Sequence, residues 1–172
     1  MGLPTAQRIV FREMTTADLD LVHSLLGDPQ VMAFYPRPKT LEECALWIRR
    51  NRDSYAALGF GLWILEDLSG RFLGECGLIL QDINGGKVEV GYHLSPSAQG
   101  RGYAAEAARA CIEFAREKDI GDLIAIIDPA NAASRAVALS AGMSWWRNEI
   151  VFGGQKEIYR IVLSASAVSF AT

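Results

Sequence analysis

No stretch of this 172-residue chain approaches the length of an apolar membrane span, and its start, MGLPTAQRIVFRE, lacks a signal-peptide core. A soluble, cytoplasmic protein with no membrane partner is expected. Cysteine is scarce: Cys44, Cys76 and Cys111 lie far apart in the chain, are odd in number and form no Cys-x-x-Cys pair. They read as buried small hydrophobes in a reducing compartment, and no local histidine marks one as a nucleophile. Only His23 and His93 could assist them in binding a metal, so no metal site is expected. Basic charge is also lacking. Lys and Arg number 17 against 20 Asp and Glu, a net charge of −3, which speaks against a nucleic-acid footprint and slightly favours a cationic partner. Internal repeats, low-complexity stretches and linkers are missing too, and the length suits one domain.

Periodicity supplies the elements that are there. QRIVFREM reads as a strand and TTADLDLVHSLL as a helix, with Thr15 and Asp18 at capping-box spacing. After a proline-broken loop, TLEECALWIRRNRDSYAAL reads as a second helix, with Thr40 and Glu43 in the same box and Gly59 at its end. FGLWILED, RFLGECGLILQD and KVEVGYHL form a three-stranded meander with a hairpin signal at Asn84-Gly85. A helix from about Tyr103 to Lys118 follows; then DLIAIID, a fully apolar strand expected to be central or parallel. NAASRAVALSAG reads as a short helix, SWWRNEIVF and KEIYRIVL as a closing hairpin turning on Gly153-Gly154, and SASAVSFAT, 164–172, as a C-terminal tail. The order β-α-α-β-β-β-α-β-α-β-β predicts a single α/β (α+β) domain: a mixed, largely antiparallel sheet of about seven strands flanked by four helices.

The segment SPSAQGRGYAAEAARACIEFARE concentrates the chemistry. Ala104, Ala108, Cys111 and Ala115 place small residues on one helix face, so the glycines before it could be no more than a turn that lets the helix lie close to the sheet. Alternatively, the amides from Gly100 to Ala104, at a helix N-terminus next to Arg101, suit a phosphate. A Walker A loop is ruled out, because no Gly-Lys-Ser/Thr is present. Gly100-x-Gly102-x-x-Ala105 matches a dinucleotide fingerprint, but that motif belongs to the first turn of a βαβ unit and a meander precedes this one.

A third pattern, Gln-x-x-Gly-x-Gly/Ala, is filled by Gln99, Gly102 and Ala104. It resembles the coenzyme A pyrophosphate loop of the GNAT superfamily of N-acetyltransferases. VEVGYHLSPSAQGRGYAAEAARA is similar to that superfamily's fourth strand, loop and third helix, and IIDPANAASRAVALSAGM to its fifth strand and fourth helix. TTADLDLVHSLLGDPQVM and FGLWILED resemble its ribosomal-protein-alanine N-acetyltransferase (RimJ/RimL-like) branch. The likeness spans residues 7–163, taken as one N-acetyltransferase domain.

The resemblance implies a direct attack of a primary amine on the thioester of acetyl-CoA, the amine being a protein N-terminus or a small molecule. Tyr92, His93 and Leu94 would offer a strand edge to the pantetheine arm, and Gln99, Gly100, Arg101, Gly102, Tyr103, Ala104 and Ala105 would hold the pyrophosphate. Asn131 and Ser134 would meet the cosubstrate from the opposite side. Glu89 is the implied base, against the alternative of a strand residue facing solvent; His93 is a second candidate, against that of a residue packed at the sheet edge. Many members carry an acidic tyrosine where this chain has Ala138, so the role passes to Ser134, which could instead only start its helix. Phe34, Tyr35, Trp47, Trp63, Trp145 and Trp146 are available to line the acceptor site, and Asp28, Glu42 and Glu149 to attract a cation. A longer acyl-CoA, or a non-catalytic acyl-CoA-binding or sensing role, remains open. So does a homodimer.

Overall fold

The computed structural model describes residues 2–83 and 85–163. Its strands are β1 (Ile9–Arg12), β2 (Leu62–Asp67), β3 (Phe72–Gln81), β4 (Lys87–Leu94), β5 (Asp122–Ile127), β6 (Ser144–Val151) and β7 (Gly154–Val162). Its helices are α1 (Leu19–Leu26), α2 (Leu41–Leu58), α3 (Tyr103–Glu117) and α4 (Ala132–Ser140), in the order expected from periodicity. The local signals act as their chemistry dictates. The Glu43 amide donates to Thr40 Oγ1 at 3.2 Å while Glu43 Oε2 accepts from the Thr40 amide at 2.8 Å, closing the box that starts α2. Asp18 closes back on the Thr15 amide at 2.7 Å, but the first turn there is a 3₁₀ segment, Thr16–Asp18, and α1 begins only at Leu19. The expected Asn84-Gly85 turn includes Asn84, which lies outside the described residues, as does the tail 164–172.

One sheet runs β1-β2-β3-β4-β5-β7-β6. Every neighbouring pair is antiparallel except β4 and β5. The apolar run of β5 sits inside the sheet with Leu123, Ile124, Ala125 and Ile127 buried. α3 lays Ala107, Ala108, Cys111 and Ala115 against the sheet, and these small side chains let it approach β3 and β4 closely. The closing hairpin turns one residue earlier than the glycine pair suggests. Phe152 and Gly153 take the two positive-φ positions (52° and 76°), and Gly154 already pairs with Val151. A two-residue turn with both φ values positive matches the twist of the strands, and that match holds the exposed Phe152 in a conformation it otherwise avoids.

Candidate functional site

β4 and β5 are joined at one end and apart at the other. Along β3, β4 is paired from Lys87 to Leu94, whereas with β5 it shares the single partnership Glu89–Ile124. Lys87 and Arg160 both reach Asp122 at the closed end, with nitrogen–oxygen distances of 3.0 and 2.7 Å. Beyond Glu89 the edge of β4 that carries Tyr92, His93 and Leu94 faces the opening, with backbone groups available to pair with an extended ligand.

The open end leads to the glycine loop. Gln99 Nε2 donates to the Leu94 carbonyl at 3.1 Å, which ties the loop to the strand end. Gly100 and Gly102 sit at φ 71° and 79°, the left-handed region where a side chain is costly. A Cβ built on Gly100 would meet nothing within 4 Å, so the space before it is open. Gly102 starts α3 with no side-chain cap, and the amides of Tyr103, Ala104 and Ala105 face out from the helix end. Arg101 is exposed beside them. This donor set suits a phosphate. Arg8, which sequence reasoning did not single out, braces the loop. Its backbone amide and Nε donate to Glu106 at 2.7 Å each, its Nη1 donates to the Arg101 carbonyl at 3.1 Å, and its guanidinium lies 4.7 Å from the Tyr103 ring centre.

Alternation along β4 sorts the remaining candidates onto two faces. Tyr92 shares a face with its partner Cys76, whose Sγ lies 3.7 Å from Cys111 Sγ on α3. Cys76 and Cys111, distant in the chain, are thus neighbours in space, and all three cysteines are buried and free, as expected. On this face the Tyr92 hydroxyl donates to the Ser134 carbonyl at 2.9 Å and lies 3.0 Å from Ser134 Oγ. Burial holds the Tyr92 phenol above its ordinary range, so it stays protonated. Asn131 Oδ1 accepts from the Ser134 amide at 3.0 Å, capping α4 and leaving the Asn131 NH₂ for a ligand.

The opposite face carries Glu89 and His93, with α1 above it and α2 reaching it through Trp47, which bonds Glu75. Glu89 does not turn to bulk solvent. It is half-buried, accepts from Gln81 Nε2, and meets the Ile126 amide at 3.4 Å. Burial pushes its carboxyl up to about 7, against the pull of Gln81, Ile126 and His93. It can thus exchange protons near neutral pH, the condition a general base needs. His93 does more than pack at an edge. Its Nδ1 lies 2.9 Å from Glu75 Oε1 and its Nε2 lies 2.8 Å from the hydroxyl of Tyr35, from the loop between α1 and α2. Glu75 gave no sequence signal, because an acid inside an apolar strand run looks like any other alternating residue.

The aromatic residues divide. Phe34 and Tyr35 are exposed near this face and Trp47 reaches Glu75, whereas Trp63 is 1% exposed and belongs to the core, among Phe11, Tyr55 and Phe114. Trp63 cannot line an acceptor site. Trp145 is exposed, and the guanidiniums of Arg147 and Arg160 both lie over the Trp146 ring, 3.9 and 4.7 Å from its centre. Of the acids, Glu149 is paired with Arg147. Among the described residues no three His, Cys, Asp or Glu side chains gather as a metal site, and no helix is long and apolar enough to cross a membrane.

Known proteins resemble this chain in sequence and in fold. The Bacillus subtilis protein YkkB is 39% identical over 142 residues, covering 80% of this chain and 83% of its own. An acetyltransferase from Agrobacterium tumefaciens superposes with a TM-score of 0.82 at 23% identity, over 94% of this chain and 95% of its own. RimL, a ribosomal L7/L12 α-N-protein acetyltransferase solved with coenzyme A, superposes with a TM-score of 0.76 at 19% identity, over 94% of this chain and 98% of its own. The model of the acetyltransferase (GNAT) domain matches residues 8–144, and the chain belongs to this acetyltransferase family.

Proposed function

We propose that this chain transfers the acetyl group of acetyl-CoA to a primary amine by direct attack on the thioester. The observation that carries this reading is the opening between β4 and β5, with a carboxyl poised near neutrality at its vertex and a glycine-started helix at its mouth. The edge of Tyr92, His93 and Leu94 would pair with the pantetheine arm, and the amides after Gly100 would take the pyrophosphate. Acetyl-CoA would supply an activated acyl carbon. Glu89 accepts a proton from the amine nitrogen, and Ser134, held by Tyr92, offers its hydroxyl to the departing sulfur. The absence of a tyrosine at position 138 is the one feature in favour of a non-catalytic sensor, and Tyr92 provides a phenol that reaches the same helix from the strand.

The acceptor we favour is an α-amino group, as on a protein N-terminus. An α-amino group titrates near 8 and a lysine amine near 10.4, so a base at about 7 is matched to the first. The likeness to the α-N-protein acetyltransferase supports the same class. The test is release of free coenzyme A thiol from acetyl-CoA across a panel of N-terminal peptides and small amines, with acetyl-CoA binding measured for wild type and Gly102→Glu. Turnover with α-amino acceptors is expected, together with binding lost in Gly102→Glu. Tight binding without turnover on any amine would instead identify a sensor.

A further inference from the structure

A protonated amine must shed two protons to become an amide, one before it attacks and one after. Glu89 accounts for one acceptor. The same face of β4 carries a second proton path that no part of the reading above uses. Glu75 is 0% exposed, and each carboxylate oxygen has one partner: Oε1 at 2.9 Å from His93 Nδ1, and Oε2 accepting from Trp47 Nε1 at 3.1 Å. Among the described residues no lysine or arginine is paired with it. A buried carboxylate without a fixed cation is costly unless it serves a partner that becomes charged. With Nδ1–H donated to Glu75, His93 Nε2 is left as an acceptor, and the Tyr35 hydroxyl donates into it at 2.8 Å. The two rings lie 5.4 Å apart. Tyr35 precedes Pro36, which restricts its backbone, and it sits on the α1–α2 loop, 49% exposed, where an acceptor would enter.

We infer that Tyr35, His93 and Glu75 form a relay that deprotonates the incoming ammonium, leaving Glu89 to take the second proton. The ammonium N–H proton passes to the Tyr35 oxygen as the Tyr35 O–H proton passes to His93 Nε2, and the imidazolium that results faces the Glu75 carboxylate. The neutral amine then forms the C–N bond as the C–S bond breaks, and Glu89 takes the second nitrogen proton. Ser134 gives its hydroxyl proton to the departing sulfur and is reprotonated from solvent, while His93 and Glu89 return their protons to solvent, a net release of one proton per turnover. Tyr35 is the group that touches the amine, and Glu75 is a positioning residue. Although the residue as a whole is partly exposed, its hydroxyl is turned in against His93; this desolvation first, and then the charges of Glu89 and Glu75, hold the Tyr35 phenol above its ordinary range, so it enters the relay protonated. The titratable groups around the relay are Glu89 and Tyr92 on β4 and Cys44 on α2, with Lys39 over the Trp47 ring.

The inference rests on the transfer reading, and its test separates the two. The kcat and KM of a peptide with a free α-amino group are measured from pH 6 to 10 for wild type, Tyr35→Phe, Glu75→Gln and the double variant, with acetyl-CoA affinity alongside. Each single change is expected to lower kcat/KM for the peptide about 10- to 100-fold at pH 7. Acetyl-CoA affinity should stay within about twofold, and the double variant should be no worse than the worse single one. The loss should shrink towards pH 10, where the amine arrives neutral and the relay has nothing to do. Tyr35 is exposed, so its variant keeps the test valid if the core change at Glu75 unfolds the chain. Unchanged kinetics, additive losses, or a loss independent of pH would overturn the relay while the transfer reading stands. No wild-type turnover on any amine would overturn both.

Discussion

The two faces of β4 differ in what they do with protons. One, beneath α1 and α2, holds Glu89, whose carboxyl is raised to about 7, and His93, bonded between Glu75 and Tyr35. The other, beneath α3 and α4, holds Tyr92 against Ser134, hydroxyls that can only donate there. One strand in the pleat thus sets acceptors and donors back to back, with the opening towards β5 between them. An amine on the first side and a thioester sulfur on the second would each meet the group they need, which is how one residue of register assigns the chemistry.

The strongest way to break this division is Glu89→Gln. It keeps the side chain's size, with Gln81 able to turn its amide to accept from the new NH₂, and removes the base, so kcat should fall on the order of 10²- to 10⁴-fold with acetyl-CoA affinity unchanged. In wild type, kcat/KM should rise with pH through about 7, since only the carboxylate accepts a proton, and the variant should lose that limb. Stability gives an independent check. The folded carboxyl titrates above its unfolded value of about 4.5, so its contribution is fully present below that pH and is lost as pH rises through about 7. Glu89→Gln should therefore stabilise the fold at pH 8 by on the order of 2 kcal/mol and by nothing at pH 4, as chemical denaturation would show. Equal stabilities at pH 8 would mean that the carboxyl is not desolvated as described.

On the donor face the effects should be smaller. Ser134→Ala and Tyr92→Phe should each lower kcat about 10-fold, and the pair together about as much as either alone, because the two hydroxyls act as one unit. Steady-state kinetics of the three variants decides this. Independent, multiplying losses would separate Tyr92 from the sulfur and leave it as a brace for α4.

Much of this was legible in the chain. Eleven elements follow from caps, periodicity and glycines, because α2 and α3 carry their own start and stop signals. The glycine loop was legible because φ values of 71° and 79° demand a residue type that stands out in a sequence. The proton relay was not, since Glu75, His93 and Tyr35 come from two strands and a loop, and only register brings them together. The same holds for Cys76 and Cys111, distant in sequence and 3.7 Å apart across the strand–helix interface. The hairpin turn slipped by one residue because three successive residues, Phe152, Gly153 and Gly154, compete for two positions and strand pairing decides.

The smallest expected effect tests whether the cosubstrate side can be loosened alone. Arg8 holds Glu106 and the Arg101 carbonyl across the glycine loop, but its side chain is 49% exposed, so water and salt weaken the pair. Arg8→Ala should therefore lower global stability by no more than about 1 kcal/mol. The loop amides, however, must point one way to bind a phosphate, and a brace that limits their motion reduces the ordering cost of binding. Acetyl-CoA affinity should weaken about three- to tenfold, on the scale of one or two hydrogen bonds, while kcat at saturation and KM for the amine stay as in wild type. Glu106→Gln, which keeps an acceptor for Arg8 and loses the charge, should fall between the two. A change in amine KM without a change in acetyl-CoA affinity would show that β1 communicates with the acceptor face, and the two sides of β4 would then not be separable.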